Sequence, residues 1–337
     1  LHYQRRGGAA TDRETGAALL TRTGLSSEAE QLVVTAGGQN ALHTIAATLL
    51  RPGDRVACGT YIYPGFRAIA RRAGVTLVPL AEITSDTLAA AHADAPLRAF
   101  YIVPTNDNPT AKTLPLEQRA AIGGWARDAG VAIIEDDAYG LLPETPLPAV
   151  ASFAPELGWY IASMSKVISP ALRIAFVRAP GVAEAMQLAS CQHESAIMAP
   201  PINAAMVSLW VADGRFDELV GAVRKEGAWR QKLARSILGD AQYAAHLEAY
   251  HLWLPLPGDA NPDMLAAALS LDGLSAVPSD GFAIVPGADQ ALRISLGGAA
   301  DRATLARGLR PLAAHLRSPL GQAGPVVPDG AFYAWAD

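Results

Sequence analysis

"YIASMSKVISPALRIAF", residues 160–176, sets a single lysine, Lys166, in a run that is otherwise mostly apolar or hydroxyl-bearing. Serines stand at 163 and 165, Pro170 follows, and Arg173 lies beyond. A strand-like run, "WYIAS" (159–163), precedes the lysine, and another, "LRIAFVRA" (172–179), follows it. Lys166 therefore falls just past the end of a strand. On burial habits alone such a lysine is a surface charge whose stem lies along apolar neighbours. The other reading is a buried amine with chemistry to do, and the remaining strand ends decide between them.

Working outward, further β-rich runs are "QLVVTA" (31–36), "DRVACG" (54–59), "VTLVPL" (75–80), "LRAFYIVP" (97–104) and "VAIIED" (131–136). Helical patterns lie between several of them: "QNALHTIAATLL", "PGFRAIARRAG" and "PLEQRAAIGGWARDAG", the last two closing on Gly, a common helix stop. Near-continuous apolar strands joined by helical crossovers predict an α/β fold with a mostly parallel seven-stranded sheet covered on both faces. Residues 200–240 read as one long helix. After it come strand-like "HLWLPLP", "LSAVPSD" and "ALRISLGG", then a last helix, "DRATLARGLRPLAAHLR". That pattern predicts a smaller C-terminal α+β domain. The expected division is an N-terminal segment at 1–25, a large domain at 26–222 and a small domain at 223–337.

Composition excludes several classes. At 337 residues, half of them hydrophobic and 18 % charged, the chain suits a large α/β interior and not disorder. A net charge of −5 leaves no footprint for nucleic acid or an anionic membrane. Two cysteines, Cys58 and Cys191, are too few for a disulfide framework or a zinc site. No uninterrupted apolar run of membrane-spanning length and no signal peptide is read, so the expected compartment is the cytoplasm. The chain opens at Leu1 in a polar segment, which suggests that a longer polypeptide carries it.

In a parallel sheet, ligands bind beyond the carboxyl ends of the strands. After 31–36 comes "GGQNAL", a glycine pair opening a helix, which is either a structural turn or an anion site. After 97–104 comes "TNDNPT", where Asn108 before Pro109 is in the first instance a turn. After 131–136 comes "EDDAYG": a Mg²⁺ site, a solvated cap, or one aspartate facing a protonated ring nitrogen with a phenol one turn on. After 159–163 comes Lys166. An anion cradle, a strand-end Asp with a Tyr three later, and a Ser-flanked Lys are together what pyridoxal phosphate requires. The lysine must be able to deprotonate to form a Schiff base, the aspartate keeps the pyridine nitrogen protonated, and hydroxyls, amides and an arginine neutralise the phosphate.

The blocks "VTAGGQNAL", "YIYPGF", "VPTNDNPT", "IIEDDAYG", "SMSKVISPALRIAF" and "LRISLGG", in this order, resemble a fold-type I pyridoxal-phosphate protein of the class I/II aminotransferase superfamily. "VASFAPELGWYIASMSK" (150–166) is most similar to the aminotransferase-like domain of MocR-type regulators of the GntR family, which follows a winged-helix DNA-binding domain; no basic helical segment of that kind is read here. The resemblance implies that Lys166 holds the cofactor and shuttles the proton. It implies that Asp136, not Glu135 or Asp137, pairs with the pyridine nitrogen, and that Tyr139 and Asn108 bond its phenolate oxygen. Tyr63 would stack on the ring, where the plain alternative is a core aromatic. The amides of Gly38 and Gln39, the hydroxyls of Ser163 and Ser165, and Arg173 would hold the phosphate. Arg293 would bind a substrate α-carboxylate in a bidentate pair, Asn108 lying beside the substrate; the alternative for Arg293 is a strand-end salt bridge. Tyr3 resembles the tyrosine that reaches the phosphate in a neighbouring subunit, which implies a two-fold homodimer.

The chain departs from the family's pattern in three places. Asp12-Arg13 stands where an apolar residue is expected, Ala111 replaces a common glycine, and the final "PDGAFYAWAD" resembles a strand that relatives carry earlier. That tail is expected to pack as an edge strand or to have no role. The implied activity is amino-group transfer between an amino acid and a 2-oxo acid. A sensing effector domain with little turnover is the alternative, and another α-carbon reaction such as decarboxylation or β-elimination is a third. No nucleic acid and no membrane is expected to bind this segment itself.

Overall fold

The structure, a computed structural model, describes residues 3–256, 260–298 and 301–317. The chain runs α1 (Ala10–Leu20), β1 (Leu32–Thr35), α2 (Gly38–Leu49), β2 (Arg55–Gly59), α3 (Pro64–Arg72), β3 (Thr76–Leu80), α4 (Ser85–Asp94), β4 (Ala99–Ile102), α5 (Leu116–Ala129) and β5 (Ala132–Asp136). It continues through β6 (Gly158–Ser163), the single turn α6 (Met164–Val167), β7 (Ala175–Arg178), α7 (Val182–Ala196), α8 (Pro201–Ala212) and α9 (Arg215–Leu238). The last elements are β8 (Ala244–Ala245), β9 (His251–Pro255), α10 (Pro262–Leu271), β10 (Ala276–Pro278), β11 (Ala291–Ser295) and α11 (Arg302–Arg317).

All seven strands expected in the first half form one sheet, in the order β1-β7-β6-β5-β4-β2-β3. Every neighbouring pair is parallel except those made by β7, which runs antiparallel to both β1 and β6. The strands read as unbroken apolar runs because both faces are covered. On β5, Ile134 packs into the layer that holds Ile45 of α2 and Leu188 of α7, while Ile133 packs into the opposite layer with Ile122 of α5. Each such fully buried aliphatic side chain contributes about 2 kcal/mol. A second sheet, β10-β11-β9-β8, is antiparallel throughout and carries a separate core of Leu252, Leu254, Ile294 and Leu309.

One expectation is corrected. The helix expected over 200–240 is two helices, α8 and α9, broken at Asp213-Gly214, where Gly214 takes φ +84. A left-handed residue ends α8 and re-aims the chain. The 222/223 boundary then passes inside α9, whose Phe216 and Val220 join a core of the large sheet and whose Ala234 and Leu238 join that of the small one. The segment around Asp12 lies in α1. Asp12 is buried in the first turn of α1, near the positive end of its dipole, and accepts a hydrogen bond from Ser208 Oγ at 2.7 Å. Gly16 lets α1 approach β7, since a Cβ there would stand 2.6 Å from the Phe176 ring. The "PDGAFYAWAD" tail lies outside the described residues.

Candidate active site

The large sheet brings the strand ends together as parallel topology requires. At the end of β1, Gly37 caps α2 with φ 84 and ψ 172, a conformation essentially reserved for glycine. Helix α2 begins there, so the amides of Gly38 and Gln39 have no partner inside the helix. Arg173, itself left-handed at φ 50 after the 3₁₀ turn Pro170–Leu172, donates from Nη2 to Ala36 O at 3.3 Å. A Cβ on Gly37 would lie 2.8 Å from that nitrogen, and one on Gly38 would lie 3.6 Å from Ser163 Oγ. Ser163 caps α6, accepting from Ser165 N at 3.3 Å and donating to Ser165 Oγ at 3.0 Å. Gly38, Gln39, Ser163, Ser165 and Arg173 thus gather around one helix N-terminus, a cradle suited to an anion. The Tyr63 ring and the Gln39 side chain both lie over Gly65, where a Cβ would meet them at 2.3 and 2.2 Å.

The three carboxylates at the C-terminal end of β5 do not converge, because alternation sends Asp136 to one face and its neighbours to the other. Glu135 accepts from Val150 N at 2.9 Å and Ala151 N at 2.7 Å, capping a 3₁₀ turn. Asp137 accepts from Tyr160 Oη at 3.1 Å and faces the Arg119 guanidinium. Asp136 alone faces the cradle side, where it accepts from Tyr101 Oη at 3.1 Å. Burial pushes its carboxyl up to about 7, with Asp137 and Asp107 adding to the rise and Tyr101 and Lys166 opposing it. Lys166 is depressed by burial first, then by Arg293 and Arg173, with Asp136 opposing. A cationic ring nitrogen is the kind of partner that returns Asp136 to its charged form.

The small sheet closes the other side. Arg293 of β11 lies beside Tyr139, and its buried Nε has no partner among the described residues. Asn108 Oδ1 is likewise buried and without a partner there. The orphaned Arg293 Nε is a donor that fits a ligand carrying a carboxylate, whereas the Asn108 amide could serve a ring oxygen only through its Nδ2, since Oδ1 accepts. Ala111, in place of a glycine, takes φ 57, and its loop is held by Thr110 donating to Asp107 Oδ2 from both N (3.1 Å) and Oγ1 (2.6 Å). Tyr3, 78 % exposed, stands outside this cluster.

Four residues that the sequence reading missed complete the site: Tyr101, Asn106, Tyr250 and His251. Tyr250 Oη donates to the Lys166 carbonyl at 2.9 Å, so the small sheet is tied to the backbone of the lysine turn. His251, fully buried, sits between Asn106, Asp107 and Tyr139. Its only signal in sequence is a lone imidazole opening the apolar run "HLWLPLP".

Comparison with known proteins agrees with this geometry. Residues 1–311 match the model of the family "Aminotransferase class I and II", and the chain belongs to that family. It is 28 % identical over 276 residues to the uncharacterized HTH-type transcriptional regulator YdeF of Bacillus subtilis, covering 80 % of this chain and 60 % of the relative. It is 29 % identical over 308 residues to 2-aminoadipate transaminase of Thermus thermophilus, covering 86 % and 76 %. The crystal structure of LysN, an alpha-aminoadipate aminotransferase from Thermus thermophilus complexed with N-(5'-phosphopyridoxyl)-L-leucine, superposes with a TM-score of 0.83. That match has 25 % identity and covers 94 % of this chain and 83 % of the other. The fold is that of the fold-type I aminotransferases. The chain spans about three fifths of the length of the regulator it matches. Among the described residues no helix is long and apolar enough to cross a membrane.

Proposed function

We propose that this chain binds pyridoxal 5'-phosphate and transfers an amino group between an amino acid and a 2-oxo acid. One observation carries the reading. A buried amine inclined to lose its proton, Lys166, and a buried carboxyl in want of a cation, Asp136, face each other beside a helix N-terminus shaped for an anion. The cofactor, when bound, supplies a carbonyl carbon for an amine and a protonated ring that withdraws electrons from the substrate α-carbon. Lys166 Nζ would be the amine presented to that carbon, and its lowered proton affinity suits it to take up and return a proton there. Asp136 would hold the proton on the ring nitrogen, Asn108 and Tyr139 would hold the ring oxygen, and Tyr63 would cover the ring face. Gly38, Gln39, Ser163, Ser165 and Arg173 would hold the phosphate, while Arg293 would orient the substrate carboxylate. In this reading residues 1–25 form an arm toward a second subunit, whose cofactor phosphate the exposed Tyr3 reaches, and residues 26–222 and 223–337 close on the substrate between them.

Borohydride reduction of the protein mixed with pyridoxal phosphate, followed by peptide mapping, tests the reading. Label on Lys166 is expected; label absent from Lys166 refutes it. The likeness to an HTH-type regulator over most of the chain favours a second reading, an effector domain that binds the same cofactor with little turnover. Repeated turnover on amino acid and 2-oxo acid pairs supports the enzyme. A single conversion of the cofactor that never recycles supports the effector.

A further inference from the structure

His251 is the first residue of β9, and it reaches from the small sheet into the large sheet's site. Its Nε2 lies 3.1 Å from the Asp107 carbonyl oxygen. A carbonyl only accepts, so Nε2 carries the proton and a neutral ring presents a lone pair at Nδ1. The ring is held neutral: burial, with Arg293 and Lys166 nearby and His246 adding to them, pulls His251 down to about 3 against the opposing Asp107 bond. Two donors face Nδ1, Asn106 Nδ2 at 3.3 Å and Tyr139 Oη at 3.4 Å. Tyr139 has one proton to give; of its other neighbours Arg293 can only donate to it, while Tyr250, whose own proton goes to the Lys166 carbonyl, offers a further acceptor oxygen that is the same with and without His251.

We infer that His251 is a positioning residue: its Nδ1 competes with the cofactor's ring oxygen for the single phenol proton of Tyr139, and so sets how readily the Lys166–cofactor linkage releases its proton. The inference rests on the cofactor reading above. A donor to the ring oxygen stabilises that oxygen most when the linkage has lost its proton, so a Tyr139 proton given to the ring lowers the linkage's pKa. Drawing that proton toward His251 raises it. Because His251 belongs to the small sheet, any motion of that sheet relative to the large one changes the competition.

The test is a spectrophotometric pH titration of the bound cofactor, whose absorption band moves when the linkage deprotonates. His251→Leu removes the Nδ1 acceptor and should lower the midpoint by about one pH unit. His251→Asn places an oxygen acceptor near the Nδ1 position and should restore the wild-type midpoint. Both variants lose the bond to Asp107, so the difference between them isolates Nδ1. Tyr139→Phe should raise the midpoint, and adding His251→Leu to it should change nothing more. An unchanged midpoint in His251→Leu, or the same shift with and without Tyr139, overturns the inference. Nitrogen-15 histidine NMR of the wild-type apoprotein gives a check that needs no variant: a proton on Nδ1, or an imidazolium at neutral pH, also overturns it. If the wild-type protein forms no absorbing complex, the cofactor reading itself has failed, and this inference falls with it.

Discussion

Replacing Asp136 by Asn should make the apoprotein more stable while abolishing most of its chemistry. Burial raises the Asp136 carboxyl from an ordinary 3.8 to about 7. A carboxyl whose folded pKa lies above its unfolded one binds its proton more tightly in the folded state. Its contribution to stability is therefore in full below about pH 4 and is lost as pH rises through about 7. The two midpoints lie about three pH units apart, which corresponds to at most about 4 kcal/mol lost by pH 8. Asn keeps an oxygen for the Tyr101 hydroxyl, so the bond seen at 3.1 Å can persist and the substitution removes mainly the buried charge. Urea unfolding of the two apoproteins should give curves that agree near pH 4 and diverge toward pH 9, with the Asn variant more stable by about 2–4 kcal/mol at the alkaline end. Taking the difference between the proteins cancels Glu135, which burial also raises but which is not among the groups acting on Asp136. Saturating pyridoxal phosphate should stabilise wild type more than the variant, because the ring nitrogen's proton compensates only a carboxylate. A variant equally stable at pH 4 and less stable than wild type at pH 9 would refute the reasoning.

Three further outcomes are expected. Gly37→Ala forces an L residue into φ 84, ψ 172 and should cost about 1–3 kcal/mol of stability. It also displaces Arg173, so affinity for inorganic phosphate or the cofactor, followed by fluorescence titration, should fall as well. Ala111→Gly relieves a left-handed alanine at φ 57 and should raise stability in thermal unfolding by about 1 kcal/mol. Arg293→Gln removes a charged partner for the substrate carboxylate and should lower kcat/KM for amino acids about 10- to 100-fold while leaving cofactor affinity near wild type.

The large-sheet strands could be read in the sequence because both of their faces are buried. Burial on two sides leaves uninterrupted apolar runs, and those runs end where the chain changes character. Lys166, Asp136, Asn108 and the Gly37-Gly38 pair were visible for the same reason, as polar or glycine residues placed directly after such runs. The break between α8 and α9 was not visible as such, because the apolar pattern on either side of Asp213-Gly214 continues at helical spacing and one glycine does not end a helix by itself.

What the sequence determined, then, was the parts: strand, turn and the chemical group at each strand's end, all of them local in the chain. Which of three adjacent carboxylates faces Lys166 was decided by the pleat, which turns Glu135 toward the amides of Val150 and Ala151, Asp137 toward Tyr160, and Asp136 toward Lys166. Only the tertiary structure brought His251 and Tyr250 to a site 84 to 145 residues away, against the Lys166 carbonyl and Asn106. Those contacts arise where the small sheet packs over the large one, and no periodicity within β9 encodes where its first residue will land.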